Sequence, residues 1–172
     1  MEQQNVSRDI FNVGVFMIIP NVKGDCILFV RDPAQKGFSL PGGAPREDIH
    51  PATENILLTG VRETKEEACV IVVPRRIIGM FSLQHKLGFL HIIEGVLIEE
   101  LPFKPKFETV ERKWVSVADI MAEVQNGTPI LLAQRAVTQE YIAHRDVDDF
   151  PLFGSYKDPV SIAKFVRTMK RQ

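Results

Sequence analysis

The chain is 172 residues long, 45% apolar and 25% charged, with a net charge of −1. That balance is of an ordinary folded chain, sized for one domain, and it excludes a low-complexity or disordered protein. A near-neutral charge gives no global field for nucleic acid or anionic lipid, so an anionic substrate would need local charge or a metal.

Cys26 and Cys69 are the only cysteines and lie in no CxxC or Cys/His cluster, so neither a zinc site nor a disulfide framework is expected. The opening MEQQNVSRDIF lacks a basic region followed by an apolar core, so no secretory signal is expected. The longest apolar stretch, 13–20, is far short of the ~20 residues needed to cross a bilayer. These readings predict a cytoplasmic protein with no membrane partner.

In chain order, FNVGVFMIIP (11–20) and CILFVR (26–31) flank the turn-forming NVKGD and predict a strand–turn–strand hairpin. A loop, 32–43, has a short extended piece at 38–40 and closes on Pro41-Gly42-Gly43. After a polar segment, Asn55 is a good N-cap for a helix to about Ala68. VIVV (70–73), RRIIGMFSLQ (75–84) and FLHIIEGVLIE (89–99) predict three strands. ERKWVSV (111–117) predicts another, and ADIMAEVQ (118–125) a helix stopped by Asn126-Gly127. Pro129 fits the first turn of a helix over 130–145, and VSIAKFVRTMKRQ (160–172) a terminal helix. The expected organisation is one domain, 1–172, with a helical extension from about 129. Its interleaved strands and helices argue for an α/β fold with a mixed sheet between helices.

The stretch RETKEEACV (62–70) carries Glu63, Glu66 and Glu67 within one helix. On a helical wheel all three fall within an arc of roughly 100°, with Leu57, Val61, Thr64 and Ala68 opposite. That pattern describes an ordinary amphipathic helix with its acids facing outward, supported by the Arg62–Glu66 pair. Two features fit a cation site better. Glu63 and Glu67 are like charges at i,i+4, and Gly60 sits inside the helix, where it costs about 1 kcal/mol unless something approaches closely.

Taken with its surroundings, the stretch Gly43 … Glu54 … Arg62-Glu63-Thr64-Lys65-Glu66-Glu67-Ala68-Cys69-Val70 resembles the Nudix box. The approach Gly37-Phe38-Ser39-Leu40-Pro41-Gly42-Gly43 and the later Trp114-Val115-Ser116-Val117 are similar to the family's as well, so the resemblance covers roughly residues 11–125. It departs from the pattern in three places. Ten residues, 44–53, stand where the family has five, Cys69 replaces the last glycine of the box, and Thr64 fills an apolar position. A modest backbone adjustment is expected at Cys69.

The resemblance implies a Nudix-type α/β/α sandwich that hydrolyses a nucleoside diphosphate linked to another moiety with Mg2+ or Mn2+. It implies Glu63, Glu66 and Glu67 as metal ligands, with the Gly43 carbonyl as a further one. Arg62 would orient Glu66, and Glu54 would support the loop. The chemistry suits the residues, because hard cations held by carboxylates neutralise a pyrophosphate. A distant acid as base is implied too: Glu108 first, then Glu111, then Glu94. Arg31 could reach a phosphate, with Gly42 and Gly43 beside it, and Phe38 could stack on a base. Phe81, Phe89, Phe153 and Tyr156 are further aromatic candidates, each also explained as core. His50, His85, His91 and His144 show no metal spacing.

The implied partner is a small nucleotide-type diphosphate. A homodimer is compatible with the sequence but nothing specifies it. The basic face of 160–172 is explained by helix-end charge without nucleic acid. The alternative readings are a non-catalytic Nudix-fold nucleotide sensor and a plain interaction domain with a solvated acidic helix.

Overall fold

The computed structural model describes residues 12–46, 54–82, 88–105, 108–122, 128–146 and 152–155. Its elements are β1 (Asn12–Ile18), β2 (Cys26–Arg31), β3 (Gly42–Gly43), α1 (Ile56–Ala68), β4 (Val70–Ser82) and β5 (Gly88–Glu100). They continue with β6 (Glu111–Ser116), α2 (Val117–Met121), α3 (Leu132–His144) and β7 (Leu152–Ser155).

A five-stranded sheet has the order β3-β1-β5-β4-β7, and β2 pairs with β6 in a second, two-stranded sheet. The main sheet is mixed: β1 runs parallel to β5 and β4 parallel to β7, while β1–β3 and β4–β5 are antiparallel. Side-chain alternation along β1 divides the core into two layers. Val15, Met17 and Ile19 pack with Leu28, Val30, Val70, Val72 and Ala68 beneath α1. Ile18 on the opposite face packs with Ile78, Phe81 and Ile92 against Ile120, Val137 and Tyr141 of α2 and α3. This is the expected α/β/α sandwich. Among the described residues no helix is long and apolar enough to cross a membrane.

The turn between β1 and β2 forms as predicted. Asn21 Oδ1 accepts from the Asp25 and Cys26 amides, and Gly24 supplies a positive φ of 72°. The expected hairpin does not continue. The Leu28 amide still donates to the Ile19 carbonyl at 3.0 Å, but β1 then enters the main sheet and β2 leaves to pair with β6.

The predicted strands 70–73 and 75–84 are one strand, β4. It absorbs Pro74 through register shifts on either side, the bulged setting in which a strand tolerates proline. α2 ends at Met121, earlier than expected. Its last carbonyls are taken by buried Arg135, which donates to the Asp119, Ile120 and Ala122 oxygens. Pro129 is not in a helical turn: its carbonyl accepts from the Phe38 amide at 2.7 Å, Ile130 bridges Phe38, and α3 starts only at Leu132. The helix predicted over 160–172 lies outside the described residues.

α1 begins as its sequence indicates, with Asn55 Oδ1 accepting from the Leu57 and Leu58 amides. Its buried face differs from the wheel. Thr59, Gly60, Thr64 and Ala68 are buried, whereas Leu57 and Leu58 are 40% and 51% exposed. The threonines fit because their hydroxyls bond within the helix, to the Asn55 and Val61 carbonyls. Gly60 is explained by packing: a Cβ there would stand 2.6 Å from Met17 Sδ, so the glycine lets α1 lie directly on β1.

Candidate metal centre

The centre forms where α1 crosses β3. Gly42 and Gly43 pair with Phe16 and Val15 of β1, and the Gly42 amide donates to Glu67 Oε2 at 2.8 Å. A Cβ on Gly42 would collide with the Val15 carbonyl and lie 2.7 Å from Phe16 Cα. A Cβ on Gly43 would lie 2.6 Å from Glu63 Cδ. The first glycine therefore admits β3 to the sheet edge, and the second makes room for a carboxylate. Glu63 and Glu67 consequently do not face outward with the solvated surface, as the wheel suggested. They are tucked against the glycine strand.

Arg62 organises the rest. Its Nε donates to Glu54 Oε1 at 2.7 Å, and Nη1 donates to Glu63 Oε1 at 2.8 Å and Glu66 Oε2 at 3.0 Å. Nη2 donates to the Ala44 carbonyl at 3.0 Å and Glu54 Oε2 at 3.3 Å. Those bonds occupy the full fork of a guanidinium. Arg62 thus bonds Glu66 one turn on, and Glu63 and Glu54 as well. Glu54 supports the loop in addition, since its Oε2 accepts from the Arg46 amide at 2.7 Å.

The electrostatics are uneven. The Arg62 bond holds the Glu54 carboxyl below its usual range. Glu63 is shifted upward, chiefly by burial, with Arg62 opposing and Glu66 and Glu108 reinforcing. Glu67 is pushed up to about 7, first by burial and then by the charges of Glu63, Glu108 and Asp32, against the lowering effect of the Gly42 amide. Glu108 is therefore within electrostatic reach of both carboxylates, although it is exposed. Asp32, which the sequence reading missed, is within reach of Glu67. The signal available for it was slight, an acid opening the turn directly after β2.

The other candidates fall elsewhere. Glu111 is paired with Arg31, whose Nε donates to Glu111 Oε2 at 3.0 Å at the end of β2. Glu94 is on the opposite face of the sheet, where Arg75, Arg76 and Tyr141 hold it, so its candidacy as base is corrected by strand parity. Phe38 is corrected too: it is 4% exposed, inside the α2/α3-side core, and is no stacking platform. Phe81 is fully buried in the same layer, while Phe89 is partly exposed. His50, His85 and Tyr156 lie outside the described residues.

Two features fix the helix that carries the acids. Arg112 Nη1 donates to the Ala68 carbonyl at 2.9 Å and, more loosely, to those of Cys69 and Leu101, satisfying the end of α1. Cys69 itself takes the left-handed conformation, φ 52° and ψ 45°, with its amide on the Thr64 carbonyl. The backbone has not adjusted around the cysteine. The cysteine adopts the conformation for which glycine is the usual residue.

Among the described residues no three His, Cys, Asp or Glu side chains converge on one point. The donor chemistry nevertheless fits a hard divalent cation. Glu63, Glu66 and Glu67 offer only oxygens, and the upward shifts of Glu63 and Glu67 reflect buried, mutually repelling carboxylates, which a cation would relieve. Gly43 keeps open the space beside Glu63 that a Cβ would fill.

No family model matches the sequence, and no curated protein matches it. Solved structures do match. A Nudix hydrolase from Nitrosomonas europaea superposes with a TM-score of 0.66 at 20% identity, covering 84% of this chain and 77% of that one. An ADP-ribose pyrophosphatase from Streptococcus suis gives 0.62 at 22% identity, over 85% of this chain and 99% of that one. A MutT protein from Methanosarcina mazei gives 0.60 at 21% identity, over 82% and 99%. The fold of this chain is the Nudix fold.

Proposed function

We propose that the protein is a Mg2+- or Mn2+-dependent pyrophosphohydrolase that cleaves the anhydride of a nucleoside diphosphate linked to another moiety. The observation that carries this is the placement of Glu63 and Glu67 beside the Gly42-Gly43 strand, with Glu67 anchored on the Gly42 amide and Glu66 held next to them by Arg62. The Nudix fold and neighbours that include an ADP-ribose pyrophosphatase support the same reading.

In this reading Glu63, Glu66 and Glu67 would hold the cation, and the Gly43 carbonyl would be a further ligand. When bound, the cation supplies charge neutralisation to the phosphates. The chain's own groups do the positioning. Arg62 fixes the angle between Glu63 and Glu66, the Gly42 amide fixes Glu67, and Arg112 holds the end of the helix that bears them. Glu108, at the rim, accepts the proton of the attacking water as its oxygen bonds to phosphorus. The anhydride P–O bond breaks, leaving two phosphate products.

The test is a panel of nucleoside triphosphates, nucleoside diphosphate sugars, ADP-ribose and dinucleoside polyphosphates in Mg2+ and in Mn2+. Release of a nucleoside monophosphate is expected from at least one of them. Glu66→Gln and Glu67→Gln should each lower turnover by roughly 100-fold or more while the protein stays folded by circular dichroism. A double Gln variant with wild-type turnover would refute the metal assignment. Tight nucleotide binding without turnover in either metal would point instead to a sensor.

A further inference from the structure

The ten-residue segment 44–53 enlarges the loop between Gly43 and Glu54, and its described part places Arg46 on the acid cluster. Arg46 Nη2 donates to Glu66 Oε1 at 2.8 Å. Its backbone amide is pinned to Glu54 Oε2 at 2.7 Å, and Arg62 Nη2 holds the Ala44 carbonyl two residues earlier. The base of the loop is thus tied at two points to the Glu54–Arg62 pair, so the Arg46 guanidinium is delivered to a fixed place.

The two arginines at the centre differ in what they have left to give. Arg62 has its whole fork committed to Glu54, Glu63, Glu66 and Ala44. Arg46 uses one nitrogen on Glu66, its side chain is 45% exposed, and its other N–H groups face no acceptor among the described residues. Glu66 is more exposed than Glu63, 37% against 13%, and it is pulled from both sides, Oε1 by Arg46 and Oε2 by Arg62. Glu63 lies beside it, Glu108 is within electrostatic reach of Glu63 and Glu67, and Asp32 of Glu67, so the cluster as a whole repels an anion. One divalent cation does not cancel that many carboxylates.

We propose that Arg46 is a diphosphate-binding residue contributed by the enlarged loop: its guanidinium rests on Glu66 Oε1 and transfers to the phosphate oxygens of the substrate when the cation claims Glu66. A planar guanidinium with unused donors suits two non-bridging phosphate oxygens. The inference rests on the metal reading above and adds to it a residue outside the box. It also assigns the insertion a role, which is to carry a cation to the substrate side of an acidic site.

Two titrations test it without needing the natural substrate. The first is Mn2+ alone; the second is imidodiphosphate, the P–N–P analogue of pyrophosphate, at saturating Mn2+. In Arg46→Ala, Mn2+ should bind about two- to fivefold more tightly, because Glu66 loses a competing cation. Imidodiphosphate should bind roughly tenfold more weakly, because a charge-assisted phosphate contact is gone. Arg46→Lys should fall between wild type and Ala in the second titration. Opposite signs in the two titrations separate this role from a structural one, since a collapsed loop would weaken both. Unchanged imidodiphosphate affinity in Arg46→Ala, or loss of both affinities together, overturns the proposal while leaving the metal centre standing. Failure of the wild-type protein to bind Mn2+ would overturn the metal centre, and the role of Arg46 with it.

Discussion

Two clusters of glutamate and arginine lie on opposite faces of the main sheet, and they are built to different rules. On the α3 side, Glu94 is 3% exposed and closed. Its Oε1 accepts from Arg75 Nη1 and the Tyr141 hydroxyl, and its Oε2 accepts from Arg76 Nε at 2.6 Å. Arg76 in turn donates to the Arg145 carbonyl, so the cluster ties β4, β5 and α3 together. Burial and the Glu94 charge push the Tyr141 hydroxyl well upward, keeping it a donor. On the α1 side, acids outnumber the cations that hold them, and among the described residues Glu67 is held by the Gly42 amide alone. A carboxylate whose oxygens are fully claimed by cations and hydroxyls is a fastener. Carboxylates left in excess beside a glycine strand have capacity for a ligand.

That distinction is open to direct attack. The largest stability effect should come from Glu94→Gln. Breaking a buried ion pair should cost about 2–4 kcal/mol in urea unfolding, with turnover per folded molecule unchanged. A cost below about 1 kcal/mol would remove the contrast between the two faces.

Glu67→Gln should act in the opposite direction. Because the folded protein raises this carboxyl from 4.5 to about 7, its contribution to stability is fully present below pH 4.5 and is lost as pH rises through 7. In chelator, the Gln variant should therefore match wild type near pH 5 and exceed it by about 1–3 kcal/mol at pH 8. Equal stability at both pH values would mean that Glu67 is not a strained acid.

The smallest effect belongs to Cys69. Cys69→Gly relieves the left-handed backbone but gives up a buried thiol, so the two should offset to within about 0.5 kcal/mol. Cys69→Val, β-branched in the same conformation, should lose about 1–2 kcal/mol by thermal unfolding.

Local signals were legible in the sequence. The Asn55 cap, the Asn21 turn, the alternation along β1 and the spacing of the box each depend on residues close in the chain. What could not be read depends on partners far away. That β2 leaves β1 for β6 is decided 80 positions later, where Arg31 meets Glu111. Whether Pro74 ends a strand or bulges one is decided by β5. The wheel placed Glu63 and Glu67 in solvent because it treats polarity as exposure and has no view of the glycine strand crossing above. Phe38 looked available because a loop aromatic gives no sign that Ile130 will cover it. Arg112 and Arg46 are ordinary surface-type residues in sequence, and only the fold brings one to the end of α1 and the other to Glu66.

β3 is only two residues long, yet it is an edge strand of the main sheet. It occupies the outer side of β1 at Val15 and Phe16, and the Pro41 carbonyl takes the Met17 amide just beyond. The apolar strand β1 would otherwise present a row of unpaired backbone groups, the kind of edge on which another chain can add a strand. The glycines that shape the acid cluster thus also seal the sheet. Gly42 and Gly43 serve the sheet edge as well as the acid cluster, and a substitution that freed β3 would add a risk of self-association to the damage at the cluster.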